Sequence, residues 1–171
     1  MLNVIKDLKE SLPIEIKSTF LGAHAFPKEL SKSEYFDLVI NKMLPDFARK
    51  SLMDYVDIFC EKNYFTANDT EQMIKEAKKY NIPAKIHVNQ FNSIGGIKIA
   101  VRNKAVSVDH LELVNEQDIA ELKKGSTIPV LLPGCSFFLG IEYAPAKNYY
   151  LIIFLLRLQV TLILDLVPLE I

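Results

Sequence analysis

Hydrophobic and polar positions along the chain form a repeated order of short apolar runs and longer stretches with helical periodicity. In the helical stretches, apolar residues recur three or four positions apart, as on one face of an amphipathic helix. These stretches predict helices over residues 2–12, 31–43, 68–81, 93–103 and 116–124. The short apolar runs predict strands over residues 14–25, 56–60, 84–88, 106–112 and 128–135. Helices and strands therefore alternate along the chain, with five of each.

Local signals set several helix boundaries. Pro13 ends the first helix because proline cannot continue an α-helix. Ser31 precedes the second helix and Glu34 follows three residues later, which is the spacing of a capping box. Asn68 or Asp69 is expected to open the third helix.

The strand–helix order determines the expected fold class. Alternating strands and helices are typical of parallel strands joined by crossover helices, so we expect an α/β fold. The predicted strands look apolar on every side, which fits a sheet with both faces covered. In barrels of this kind, active sites form at the carboxyl ends of the strands.

Composition and charge exclude several classes of protein. Half of the 171 residues are hydrophobic and 24% are charged, which indicates one globular domain with a substantial core. Twenty basic and 21 acidic residues give no net field that would favour nucleic acid or an anionic membrane. Cys60 and Cys135 lack metal-site spacing and indicate reduced thiols in a cytosolic protein. The first 13 residues lack the apolar segment of a signal peptide.

The densest candidate chemistry follows the strand at 84–88. The stretch 85–96, KIHVNQFNSIGG, places His87 inside an apolar run and Asn89, Gln90 and Asn92 directly after it. Helical periodicity resumes beyond these polar residues, so they are expected at the carboxyl end of a strand.

The three histidines of the chain, His24, His87 and His110, all fall near predicted strand ends. A lone histidine there is more often structural, but three at one edge of a sheet indicate a site. Neutral imidazole binds zinc or iron and also suits proton transfer. Glu61 ends another strand and, taken alone, is expected to be an ordinary solvated carboxylate.

Five motifs in this order and spacing resemble imidazolonepropionase, a metal-dependent amidohydrolase of histidine degradation. They cover roughly residues 1–147 and read TFLGAHAFP, VDIFCEKNYF, KIHVNQFNSIGG, SVDHLE and VLLPGCSFFLG. The resemblance implies a TIM-type (β/α) barrel with parallel strands, a small β-sandwich, and hydrolysis of 4-imidazolone-5-propanoate to N-formimidoyl-L-glutamate. It also implies one divalent metal, zinc or iron, and a homodimer.

The resemblance assigns roles to four residues. His87 matches a metal-ligand histidine, and His24 matches a substrate-binding histidine. His110 matches the histidine that moves protons beside the metal and is the candidate catalytic residue. Gln90 stands where the family has a substrate-contacting glutamate; an amide can still hydrogen-bond the substrate but cannot act as a base.

The sequence departs from the family pattern in two respects. Asn89 and Gln90 replace the family's Asp-Glu pair. The His-x-His metal pair of the family's first strand does not occur in the sequence, and Met1 falls where the family is already past its third strand. We therefore expect a partial barrel that lacks the first strands and the β-sandwich, and that is inactive as this truncated chain.

Residues 149–171 form a nearly continuous hydrophobic tail, distinct from a barrel domain over 1–148. Residues 159–166 can be encoded so that a reading frame one base earlier gives Ala-Ser-Asp-Phe-Asn-Pro-Gly-Ser, the family's last-strand motif. We therefore interpret the tail as an out-of-frame reading of strand eight, in which Asp165 is no metal ligand.

Three hypotheses follow. The first is a fragment of an imidazolonepropionase, cytoplasmic, with a small-molecule substrate and no membrane or nucleic-acid partner. The second is a non-catalytic domain tethered to a membrane by residues 149–168. The third is an amidohydrolase that acts on another cyclic amide.

Overall fold

The computed structural model describes residues 1–147 and the backbone of residues 157–158. In this part of the chain the helices are α1 Leu2–Ser11, α2 Lys32–Leu38, α3 Leu44–Arg49, α4 Ala67–Lys78, α5 Gly96–Arg102, α6 Glu116–Leu122 and α7 Pro133–Leu139. The strands are β1 Thr19–Ala23, β2 Tyr55–Cys60, β3 Ala84–Val88, β4 Ser107–His110, β5 Ile128–Leu131 and β6 Arg157–Leu158. A π-helical stretch, Val39–Met43, joins α2 to α3.

The strands form one parallel sheet in the order of the sequence, from β1 at one edge to β6 at the other. Each of the first five strands is followed by at least one helix, so the predicted alternation of strands and helices and the α/β class are confirmed. The register places Phe59 of β2 and Asp109 of β4 on either side of His87 in β3. This pairing sets the spacing of the side chains at the carboxyl ends of the strands.

Capping boxes fix the starts of three helices. Ser31 and Glu34 bond reciprocally at the start of α2, as predicted. The start of α4 was placed wrongly by one to two residues: Thr66 caps it, and Asp69 is the third helical residue that bonds back to Thr66. The same arrangement, with Asn115 as the cap, begins α6.

Each central strand has two different faces. Val56 and Ile58 of β2 and Ile86 and Val88 of β3 are fully buried in the core beneath the helices. The alternate positions carry polar groups, such as Asp57 and His87, on the other face. The expectation of strands that are apolar on every side is therefore wrong for β2 and β3.

Glycine and proline explain two further differences from the predicted elements. The helix expected from residue 93 begins at Gly96, because Gly95 takes a left-handed conformation with φ of 88°. The last predicted strand ends at Leu131, and Pro133 opens α7, a helix that the hydrophobic pattern did not indicate.

Most of the tail, residues 149–171, lies outside the described residues. The domain boundary between 1–148 and 149–171 and the frameshift interpretation therefore stay predictions. The backbone of residues 157–158 pairs in parallel with β5. Among the described residues, the helices are all too short or too polar to cross a bilayer.

Candidate active site

The three histidines converge at the carboxyl ends of β1, β3 and β4. His24 directly follows β1, His87 is the fourth residue of β3, and His110 ends β4. The ring centroids of His24 and His87 are 4.7 Å apart, and those of His87 and His110 are 5.1 Å apart. The predicted grouping of these side chains is confirmed.

Asp57 of β2 lies between two of the histidines and was not singled out from the sequence. Its Oδ1 atom is 2.8 Å from Nδ1 of His87 and 3.2 Å from Nε2 of His24. Only 3% of its side chain is exposed, so this carboxylate depends on the imidazoles for hydrogen bonds. The signal that could have revealed Asp57 is a carboxylate inside an apolar strand, at an alternate position from the buried Val56 and Ile58.

The electrostatics of this cluster follow from burial and proximity. Burial alone would raise the pKa of Asp57, but the charge of His87 and the two hydrogen bonds hold that pKa well below its usual range. Burial alone would lower the pKa of His87, but Asp57 raises it above its ordinary value. Burial lowers the pKa of His24, against the opposing effect of Asp57. These shifts favour an ion pair of Asp57 with protonated His87 and the neutral form of His24.

The same three residues fit a divalent metal ion. One ligand atom from each of His24, Asp57 and His87 lies within 4.8 Å of the other two. Imidazole nitrogen and carboxylate oxygen are ordinary zinc ligands at about 2 Å from the ion, which places neighbouring ligand atoms ~3.3 Å apart. The cluster can therefore close around an ion with small side-chain movements.

The loop after β3 carries Asn89 and Gln90, which are both buried. Asn89 has φ of 55°, and its amide Nδ2 donates to the carbonyl oxygen of Leu113 at 2.7 Å. Gln90 Nε2 lies 3.5 Å from Sγ of Cys135 in α7. This contact joins Gln90 to α7.

Glu61 holds this loop in place. The expectation of a solvated carboxylate is wrong, because Glu61 is only 2% exposed. Its Oε2 accepts hydrogen bonds from the backbone N–H groups of Phe91 and Asn92, at 2.9 and 3.1 Å, and Oε1 accepts from the backbone N–H of Lys62 at 2.8 Å. The end of β2 is therefore tied to the loop after β3.

Two further carboxylates lie beneath the cluster. Asp109, opposite His87 in the register, is buried with Oδ1 unpartnered, and burial raises its pKa. Glu112 follows β4 and lies within 3.5 Å of His110 Nδ1. Neither was predicted as a site residue.

Comparison with known proteins gives a consistent result. The chain is 54% identical over 150 residues to an imidazolonepropionase of Christiangramia forsetii and 41% identical over 147 residues to one of Burkholderia cenocepacia. These matches cover 86% and 85% of this chain. The chain spans only 36% of the length of either relative. No protein-family model matches the chain.

Solved structures with the same fold are more distant in sequence. An adenosine deaminase from Xanthomonas campestris with bound zinc matches with a TM-score of 0.64 and 13% identity, over 92% of this chain and 39% of that one. An atrazine chlorohydrolase from Arthrobacter aurescens complexed with zinc matches with a TM-score of 0.65 and 13% identity, over 94% and 41%. These matches confirm the predicted fold, a partial TIM-type (β/α) barrel. The chain is therefore homologous to the imidazolonepropionases over most of its own length, which is about a third of theirs.

Proposed function

We propose that residues 1–147 form part of the active site of an imidazolonepropionase-like hydrolase, which opens the ring of 4-imidazolone-5-propanoate with water to give N-formimidoyl-L-glutamate. The observation that carries the proposal is the 54% identity to an imidazolonepropionase over 150 residues. The convergence of His24, His87 and His110 beside a buried carboxylate supports it, because a hydrolase needs groups that bind metal and move protons in one place.

In this proposal His87 belongs to the metal centre, and Asp57 and His24 are the further donors that this chain offers. A bound divalent ion supplies a Lewis acid that lowers the pKa of water toward neutrality. The two imidazoles and the carboxylate suit either zinc or iron. The proposed substrate-binding role of His24 competes with a role as metal donor, since His24 already contacts Asp57.

His110 and Gln90 have the remaining proposed roles. His110, next to His87, accepts and returns the proton of the attacking water. Gln90 hydrogen-bonds the substrate through its amide, which cannot accept a proton as a glutamate would. The resemblance leaves the homodimer and the cytoplasmic location as predictions.

A chimera tests the proposal. Residues 1–147 replace the matching segment of the Christiangramia forsetii relative, and ring opening is followed with added zinc or iron. We expect turnover by the chimera and none by the 171-residue chain, whose sequence contains no His-x-His pair. A folded, metal-loaded chimera without activity contradicts the proposal, unless Gln90→Glu restores turnover and shows that the loop substitution alone is responsible.

Matched variants of the chimera separate the roles. His87→Gln should lose both bound metal and activity. His110→Asn should keep the metal and lose activity by about 10²–10⁴-fold, the usual contribution of a general acid–base. His24→Gln decides between its two roles: retained metal with a raised KM assigns His24 to substrate, and lost metal assigns it to the metal centre.

A panel of other five-membered cyclic amides tests the alternative amidohydrolase hypothesis.

A further inference from the structure

A buried carboxylate lies between the candidate catalytic histidine and helix α7. Glu112 Oε1 accepts a hydrogen bond from the hydroxyl of Ser136 at 2.8 Å and lies 3.5 Å from Nδ1 of His110. The side chains of Glu112 and His110 are only 3% and 7% exposed. The contact is therefore shielded from water.

An unusual backbone conformation brings these groups together. His110 and Leu111 both have positive φ, at 86° and 66°. Left-handed conformations cost free energy in residues other than glycine and occur mainly where surrounding contacts impose them. Here the two residues bend the chain directly after β4, and the side chain of Glu112 lies beside the imidazole of His110.

The carboxylate of Glu112 also needs a donor. A buried carboxylate is costly unless hydrogen bonds satisfy its oxygens. Ser136 supplies one hydrogen bond to Oε1, and Oε2 has no partner in the described part of the chain. An N–H group on Nδ1 of His110, directed at the same Oε1, supplies a second, charge-assisted bond to the carboxylate. The long distance of 3.5 Å is typical of catalytic hydrogen bonds that shorten when substrate binds.

We propose that Glu112 is a positioning residue that holds His110 in the tautomer with its proton on Nδ1, and that Ser136 fixes Glu112 for this purpose. The partner of one ring nitrogen decides which nitrogen carries the proton. Nε2 of His110 is then unprotonated and ready to accept a proton from water. The inference rests on the proposed role of His110. It adds Glu112, to which the proposed function assigns no role.

The tautomer can be read directly from the ¹⁵N chemical shifts of the histidine rings in the full chain. The chain has three histidines, so a His110→Gln spectrum identifies the signals of His110 by their loss. Spectra are recorded at about pH 8.5, some two units above the ordinary imidazole pKa. We expect nearly all of the neutral His110 rings to carry the proton on Nδ1.

Three variants test whether Glu112 determines the tautomer of His110. Glu112→Leu removes the acceptor and should change His110 to a mixture in which the Nε2–H form predominates. Glu112→Gln keeps an acceptor oxygen and should retain the Nδ1–H form. Glu116→Leu removes an exposed carboxylate four residues away and should leave the ring signals unchanged.

An Nε2–H tautomer in the unmodified chain overturns the inference, whether or not Glu112→Leu folds. An unchanged tautomer in a folded Glu112→Leu variant does the same. The measurement needs neither substrate nor metal, so it can fail while the chimera is active, or succeed while the chimera is inactive.

Discussion

Replacing Asp57 by asparagine should destabilise the chain in a pH-dependent manner. The carboxylate accepts hydrogen bonds from His87 and His24, and bonds to a charged group contribute about 1.5–3 kcal/mol each. Asparagine keeps one acceptor oxygen, whose ordinary hydrogen bond contributes about 0.5–1.5 kcal/mol. The expected loss is therefore about 1.5–5.5 kcal/mol while His87 is protonated, equivalent to a melting temperature lower by about 3–22 °C for a chain of this size.

The pH window follows from the directions of the two pKa shifts. The pKa of Asp57 is lowered in the folded state, so its stabilisation is present above about pH 4, the ordinary aspartate pKa, and is lost at lower pH. The pKa of His87 is raised, so its stabilisation is complete below about pH 6.5 and is lost as the pH rises through its folded-state pKa. The pair thus stabilises most between these limits. Above them Asp57→Asn should cost only about 1 kcal/mol or less, because asparagine avoids burying an uncompensated charge.

Urea unfolding at pH 5.5 and 8.5, in the presence of a chelator, measures the difference. Asp109→Asn is the matched control on the neighbouring strand. Burial raises the pKa of Asp109, so its ionised form destabilises the fold near neutral pH, and its replacement should leave stability unchanged or increase it. Equal losses for Asp57→Asn at the two pH values would refute the charged pair as the cause.

Two other predictions concern different parts of the chain. Gly96→Ala should cost about 1–3 kcal/mol in urea unfolding, because its Cβ would lie 2.8 Å from both Cys60 Sγ and Val88 Cγ1; adding Cys60→Ala should recover part of the loss, and a fully additive effect would contradict this explanation. The coding DNA over residues 159–166, read one base earlier, should encode Ala-Ser-Asp-Phe-Asn-Pro-Gly-Ser, and a different sequence in that frame would reject the frameshift interpretation.

The sequence predicted the fold well where local signals and packing agree. The strand–helix order, the Ser31 capping box and the position of the histidines at strand ends all depend on short-range patterns. The errors occur where tertiary contacts decide. The first turn of α7 was assigned to a strand, because Leu131 and Leu132 continue an apolar run up to the proline that begins the helix.

The site was predicted only in part for a similar reason. A chain with three histidines draws attention to each of them, whereas aspartate and glutamate are common on protein surfaces. Residue type alone does not distinguish Asp57, Asp109 and Glu112 from such surface residues. Their importance depends on burial beside imidazoles, and that burial follows from strand register rather than from spacing along the chain. The motif resemblance assigned roles to His24, His87, Gln90 and His110 and to none of these acids.

The two-faced strands of the sheet have an evolutionary consequence. On β2, Val56 and Ile58 pack beneath the helices, whereas the intervening Asp57 contacts His87 and His24. Substitutions on the inner face can therefore change the chemistry of the site while the packing that determines the fold stays intact. Such a sheet allows the site to vary on a constant backbone, and two solved structures at 13% identity keep a similar fold, with TM-scores of 0.64 and 0.65.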